Sequence, residues 1–260
     1  MHDTIKNDRS AVLLSEVASD AGAIMLANGA EIYRVEDTVE RIIRSKTNLK
    51  DVDVYSTFNV IILSFTYQNE VHTNVRRVKS RSNKLFYVDK VNQFSRDFCQ
   101  GKLSLEEALN ELKKIKESRG KSLFKKVLGG GIAAGAFSLL LSGGLNEMTI
   151  SFVVGLLSYY AASFMEQNGL GYFVVNYIYG VIVSLLTIIF AVFLPDINQA
   201  VIIVSSMMAL LPGIMITNAM RDLMSGDATS GLTGAVLAIL ISTALAMGVG
   251  TPITIMKIWG

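Results

Sequence analysis

Cysteine, proline, histidine and tryptophan are all scarce in this sequence. Its 260 residues include one cysteine, three prolines, two histidines and one tryptophan. A single cysteine excludes a disulfide framework and any cysteine-based metal cluster within the chain. His2 and His72 have no partner at the spacing of a metal-binding motif, so we predict neither a metal site nor a cofactor.

Charged residues are nearly missing from the second half. Of the 24 lysines and arginines, 22 lie between Lys6 and Lys126, and Arg221 and Lys257 follow. The acidic residues divide 17 to 5 at the same place. This split predicts a water-soluble domain over 1–120 and a transmembrane helical domain over 121–260. The basic residues of the first half are interspersed with acids, so we expect no nucleic-acid binding.

The soluble half has the patterns of a small α+β domain. Helical spacing of apolar residues and runs of β-formers alternate along it. We predict helices at 9–27, 31–45, 84–98 and 105–117 and strands at 52–57, 59–67 and 71–79, the middle one central and buried. Ser104 and Glu107 form a capping box before the last helix. No nucleophile–base pair, phosphate loop or set of metal carboxylates occurs, so we predict that the protein is not an enzyme.

The second half contains five apolar segments separated by short polar connections. They cover 127–145, 148–164, 172–194, 199–220 and 228–255. A helix needs about 20 apolar residues to cross a bilayer, and the second segment is at the low end, so four crossings are an alternative to five. Basic residues just before the first segment favour a cytoplasmic amino-terminal domain, and five crossings then place the carboxyl end outside.

The fourth segment is interrupted and then gathers charge. Pro212 lacks an amide hydrogen and would leave a carbonyl unpaired inside a helix, while Gly213 permits close approach of a ligand. Such broken helices surround substrate sites in secondary transporters. We therefore predict that these two residues line a substrate path with the polar residues that follow, which are Asn218, Arg221, Asp222 and Asp227. The alternative is a simple kink followed by charges that anchor the topology.

Two weaker features occur elsewhere in this half. Asn176 is an amide within an apolar segment, where it needs a hydrogen-bond partner, and we include it as a candidate substrate contact. Gly131 and Gly135 have the GxxxG spacing that lets two helices pack closely.

A set of motifs, in order along nearly the entire chain, resembles the threonine/serine exporter family. Its soluble part is matched by Gly29, Glu31, Arg34 and Glu36, and further on by Arg77-Val78, Arg81, Asn83-Lys84-Leu85, Val91-Asn92 and Ser95-Arg96. Its membrane part is matched by Ser142-Gly143-Gly144, Glu147, Pro212-Gly213, Asn218, Arg221-Asp222, Gly226-Asp227 and Gly231. One departure is Leu232-Thr233-Gly234, where many relatives have a basic residue.

The resemblance implies an exporter in the inner membrane for small amino acids or for dicarboxylates such as succinate. The chain resembles the larger subunit of the two-chain form, which requires a smaller membrane subunit as partner; self-association is a further option. The rival interpretation is a membrane-anchored regulatory or binding protein that acts through its soluble domain.

Overall fold

The computed structural model describes residues 4–79, 82–118 and 122–259. The chain divides into two compact units, and the boundaries between them do not follow the composition alone. The first unit comprises Met1–Gly120 together with Ile214–Ala235, and the second comprises Lys121–Gly213 with Val236–Gly260. The segment 214–235 therefore groups with the amino-terminal residues, although its sequence suggested the membrane half.

The first unit is an α+β fold with a three-stranded antiparallel sheet. Its elements are α1 (Asp8–Ala27), α2 (Ile32–Arg44), β1 (Lys50–Ser56), β2 (Val60–Tyr67), β3 (Glu70–Arg77), α3 (Leu85–Cys99) and α4 (Leu105–Glu117). The sheet order is β1-β2-β3. Each strand and helix lies within a few residues of its predicted position, and Ser104 and Glu107 form the expected capping box.

The core of this unit lies between the helices and one face of the sheet. Strand β2 is central, as predicted, but only alternate residues are buried: Ile61, Leu63, Phe65 and Tyr67. The sequence suggested a strand buried on both faces. The opposite face carries Ile62, which is 37% exposed, because the helices cover a single face of this antiparallel sheet.

Helices make up the second unit and the segment 214–235 of the first. They are α5 (Leu123–Leu140), α6 (Leu145–Gln167), α7 (Tyr172–Phe193), α8 (Gln199–Met207), α9 (Gly213–Met224) and α10 (Ala228–Trp259). Gly131 and Gly135 face α6, where an added Cβ would lie 3.0 Å from the Phe152 carbonyl oxygen and 3.3 Å from that of Met148. The GxxxG spacing thus marks a close helix–helix contact.

Within the described part of the chain, five helices are long and apolar enough to cross a membrane, but they are not the five predicted segments. They are α1, α5, α6, α7 and α10. Of the α1 window, 61% is buried inside the protein, because its apolar residues belong to the core of the first unit. The predicted span 199–220 is two helices of 9 and 12 residues, neither long enough to cross alone.

Candidate functional site

The segment that follows the helix break contacts the loop between α1 and α2. Both lie in the first unit. The Asn218 side-chain amide donates a hydrogen bond to the Gly29 carbonyl at 3.2 Å. One turn later, the Arg221 guanidinium forms an ion pair with the Glu31 carboxylate. Four of the predicted residues, from two motifs about 190 positions apart in sequence, therefore form one cluster.

Gly29 has the backbone conformation that only glycine adopts readily. Its φ is +88°, in the left-handed region, and it ends the turn after α1. An added Cβ would lie 2.6 Å from Oδ1 of Asn83 and 3.1 Å from the Ser82 carbonyl oxygen. The Ser82 amide donates to the Ala27 carbonyl at 2.7 Å, and the Lys84 amide donates to the Asn28 carbonyl at 3.2 Å. Residues 82–84 therefore hold the loop after α1 in place. The carbonyl that Asn218 binds is therefore held in a fixed position.

Glu31 lies between two arginines. Its side chain is 12% exposed, whereas those of Arg34 and Arg221 are each 48% exposed. Nη1 of Arg34 lies 3.7 Å from Oε2 of Glu31. Among the described residues, this Oε2 accepts no hydrogen bond although it is buried. Two half-exposed guanidinium groups thus flank one carboxylate whose hydrogen-bonding capacity is not used up.

Glu36 lies one turn further along α2 and has a different role. Its Oε1 accepts a hydrogen bond from the Ser56 backbone amide at 2.6 Å, which joins α2 to the end of β1. Burial raises the pKa of its carboxyl group above the usual value, and the negative charges of Asp227 and Glu40 raise this pKa further. The Ser56 hydrogen bond acts in the opposite direction and only partly offsets these effects.

Asp222 and Asp227 shape the turn between α9 and α10. Asp222 is 6% exposed, and its carbonyl accepts the Asp227 amide at 2.9 Å. The Asp227 carbonyl in turn accepts the Gly231 amide at 2.9 Å, at the start of α10. Gly231 packs against α9, because an added Cβ would lie 2.8 Å from the Ala219 carbonyl oxygen. The Gly226-Asp227 and Gly231 motifs therefore keep α9 and α10 close together.

Pro212 and Gly213 belong to the second unit, and the helix breaks before it reaches them. Helix α8 ends at Met207, residues 208–210 form a turn, and Leu211 and Pro212 lead into α9 at Gly213. The sequence predicted a break at Pro212 that leaves the Met208 carbonyl unpaired inside a helix. Instead, the helix has already ended at that point. The Ser206 carbonyl, near its end, accepts a hydrogen bond from the buried Tyr179 hydroxyl at 2.6 Å.

Asn176 is buried on α7, with one half of its amide satisfied. Its Nδ2 donates to the Tyr172 carbonyl at 2.7 Å, while its Oδ1 has no hydrogen-bond partner among the described residues. The second unit also buries hydroxyl groups, and Ser205 of α8 donates to Ser151 of α6 at 2.9 Å. A buried acceptor without a partner costs about 1–3 kcal/mol, so the Oδ1 position suits a water molecule or a polar ligand.

Glu147 is a structural bridge within the second unit. Its Oε2 accepts the Gly144 amide at 2.8 Å, at the start of α6. Its Oε1 accepts the Asn198 amide at 3.0 Å, and Asn198 itself caps α8 through Val201. One carboxylate thus joins the starts of two helices. No ligand-binding role is needed to explain this motif residue.

The predicted site residues therefore fall into separate groups. Gly29, Glu31, Arg34, Asn218 and Arg221 lie together. Asp222, Asp227 and Glu36 lie in the same unit, whereas Pro212, Gly213, Asn176 and Glu147 belong to the other. Arg81 of the resemblance lies outside the described residues. Ser151 and Ser205 were missed; the signal that could have found them is a polar side chain within an apolar helix.

Potential metal ligands do approach one another, although the sequence spacing indicated none. One ligand atom from each of Asp8, Glu70 and His72 lies within 4.8 Å of the others. Glu70 and His72 share a face of β3 because they are two residues apart, and the fold brings the first residue of α1 beside them. Asp8 and Glu70 are exposed. The sequence spacing of His72 therefore did not reveal its neighbours.

A family model and a curated relative both match most of the chain. The ThrE (threonine/serine exporter) family model matches residues 16–256. A curated relative from Klebsiella aerogenes, named "Probable succinate transporter subunit YjjP", is 22% identical over 242 residues, which cover 91% of this chain and 90% of the relative. No solved structure matches the chain.

Proposed function

Because the chain belongs to the threonine/serine exporter family, we propose that it is one subunit of an exporter for small carboxylate-bearing solutes. The candidates are the amino acids threonine and serine and dicarboxylates such as succinate. The curated relative is named as a transporter subunit, so the proposal includes a second, smaller membrane subunit of the same family as its partner.

The observation that carries the proposed substrate path is the pairing of Arg221 with a carboxylate. Arg221 is half exposed and binds Glu31, and Asn218 on the same helix binds a backbone carbonyl. A guanidinium group binds a carboxylate through paired hydrogen bonds. Threonine, serine and succinate all carry at least one carboxylate. Asn218 can serve a ligand as both donor and acceptor. We propose that these two side chains contact the solute.

The helix interruption supports a polar path through the membrane part. A bilayer cannot satisfy free backbone groups, so an interrupted helix persists where protein or water satisfies them. Residues 208–212 form such an interruption. Asn176 adds a buried amide oxygen without a partner among the described residues. We propose that Pro212, Gly213 and Asn176 line the membrane part of the path.

Efflux from cells tests this function. Cells loaded with labelled threonine, serine or succinate would express this chain, its candidate partner, both or neither. The proposal predicts rapid efflux only when both chains are present. Asn218→Ala and Arg221→Gln should abolish efflux while both chains remain in the membrane fraction. Arg44→Gln is the matched control, because Arg44 is an exposed arginine that pairs with Glu40 on α2.

The result that would overturn the proposal is normal efflux by both site variants or equal efflux without the partner. Efflux that is absent from every combination, with both chains present in the membrane, would favour a regulatory or binding role of the amino-terminal unit.

A further inference from the structure

The Glu31 carboxylate does not cap the helix that it precedes, so helix capping does not explain its position. Glu31 is the residue before α2, where a side chain commonly accepts an amide hydrogen bond, yet its side chain makes no such bond. The amides of Arg34 and Val35 bond instead to its backbone carbonyl. Among the described residues, the partners of its carboxylate are the guanidinium groups of Arg34 and Arg221.

The two arginines come from segments that are distant in sequence and are both reachable from solvent. Arg34 is in the first turn of α2, and Arg221 is on α9. Each keeps about half of its side chain exposed, while the carboxylate between them is largely covered. Two positive groups around one carboxylate leave a net positive charge. The arrangement resembles a binding site for a carboxylate that a residue of the chain already occupies.

We propose that Glu31 occupies the place of the solute's carboxylate and competes with it for Arg34 and Arg221. This inference rests on the proposed function and adds to it a second arginine and an internal competitor. Two carboxylates cannot share the site without strong repulsion, so solute binding displaces Glu31 from Arg221. Displacement breaks the ion pair that joins α9 to the loop at 28–31 through Arg221, where Asn218 also contacts the Gly29 carbonyl.

The charge of Glu31 also sets which solutes the site prefers. Its removal makes the surroundings of the site more positive by one unit. That change favours a dianion such as succinate more than a zwitterion such as threonine, which carries no net charge. The ratio of succinate to threonine transport therefore reports on Glu31 separately from the overall rate.

The test uses the full chain reconstituted with its partner in proteoliposomes. Glu31→Gln keeps the shape and an acceptor oxygen but removes the charge. Loss of a half-exposed ion pair is worth up to about 1 kcal/mol, so the KM for succinate should fall about two- to fivefold and that for threonine should fall less. Asp37→Asn is the matched control, because it breaks an exposed pair with Arg41 on the same helix. An unchanged or raised succinate KM in the Glu31 variant would overturn the inference.

A charge exchange separates this role from a structural ion pair. The double variant Glu31→Arg with Arg221→Glu restores opposite charges at the two positions. If Arg221 binds solute, the double variant regains thermal stability but transports at background level. Wild-type transport by the double variant would show a merely structural pair. A wild-type complex that moves no solute would contradict the proposed function itself, and the inference with it.

Discussion

At the scale of single residues, the proposed solute path depends on a glycine with a positive φ and on one ion pair. Gly29 combines a positive φ with close neighbours on the side where a Cβ would point. Arg221 and Glu31 pair across about 190 positions of sequence. The sequence identified these residues through motifs and charge. It could not reveal their pairing, because a contact between distant segments depends on how the elements pack and not on local spacing.

Gly29→Ala should destabilise the protein by about 1–3 kcal/mol, because it adds backbone strain to a steric clash with residues 82–83. The measurement is the thermal unfolding of the full chain in detergent. Gly169→Ala is the control for strain alone, because Gly169 has φ +78° and no other atom lies within 4 Å of its Cβ position. If both variants lose the same stability, the contact of the new methyl group with residues 82–83 adds nothing to the backbone strain.

Glu36 should make stability depend on pH. Its raised pKa means that the folded protein binds this proton more tightly than the unfolded chain. The contribution of Glu36 to stability is therefore greatest below the ordinary glutamate pKa of 4.5 and is lost as the pH rises through the raised pKa. Glu36→Gln keeps the acceptor for the Ser56 amide, so we expect it to be more stable than wild type at pH 7 and to have a flatter profile of melting temperature from pH 5 to 8. Parallel profiles would contradict this electrostatic argument.

At the scale of elements, hydropathy and capping signals located most helices, and the exceptions are informative. The spans predicted at 127–145, 148–164, 172–194 and 228–255 correspond to α5, α6, α7 and α10. The short prediction for α6 missed its first turn, where Glu147 accepts the Gly144 amide. Pro212 marked the break, but the break starts four residues earlier, at Met208. Its position depends on tertiary contacts such as that of Tyr179, which are not visible in local sequence.

Tyr179→Phe tests what holds the end of α8. Loss of the hydroxyl leaves the buried Ser206 carbonyl without its side-chain donor, and we expect a loss of about 1–3 kcal/mol in thermal or denaturant unfolding of the full chain in detergent. Tyr160→Phe is the control, because the Tyr160 side chain is 54% exposed. If both variants lose the same small amount, the hydrogen bond to Ser206 does not stabilise the break.

At the scale of the whole molecule, composition divides the chain into a polar first half and an apolar second half. The contacts within the structure instead group residues 214–235, from the apolar half, with the amino-terminal unit. Residues 214–235 pack with the amino-terminal unit through Asn218 and Arg221. Charge counts could not anticipate this grouping, because α9 carries only one basic and one acidic residue, Arg221 and Asp222, in a largely apolar sequence. The proposed topology keeps the amino-terminal unit in the cytoplasm, with five crossings and an external carboxyl end.

Labelling of single cysteines checks that topology. In a Cys99→Ser background, Lys257→Cys should react with a membrane-impermeant maleimide in intact cells. Lys116→Cys should react only after the membrane is permeabilised. Protection of both positions in intact cells would indicate an even number of crossings, such as the four-crossing alternative.

Counterflow in sealed proteoliposomes is the sharpest test of a solute path at Arg221. Vesicles containing this chain, its smaller partner, or both would be loaded with unlabelled succinate or threonine and diluted into trace labelled solute. We expect transient uptake of label by the two-chain vesicles and none by those with Arg221→Gln. Uptake that the Arg221 variant leaves intact, or that the partner supports alone, would contradict a solute path at Arg221 in this chain.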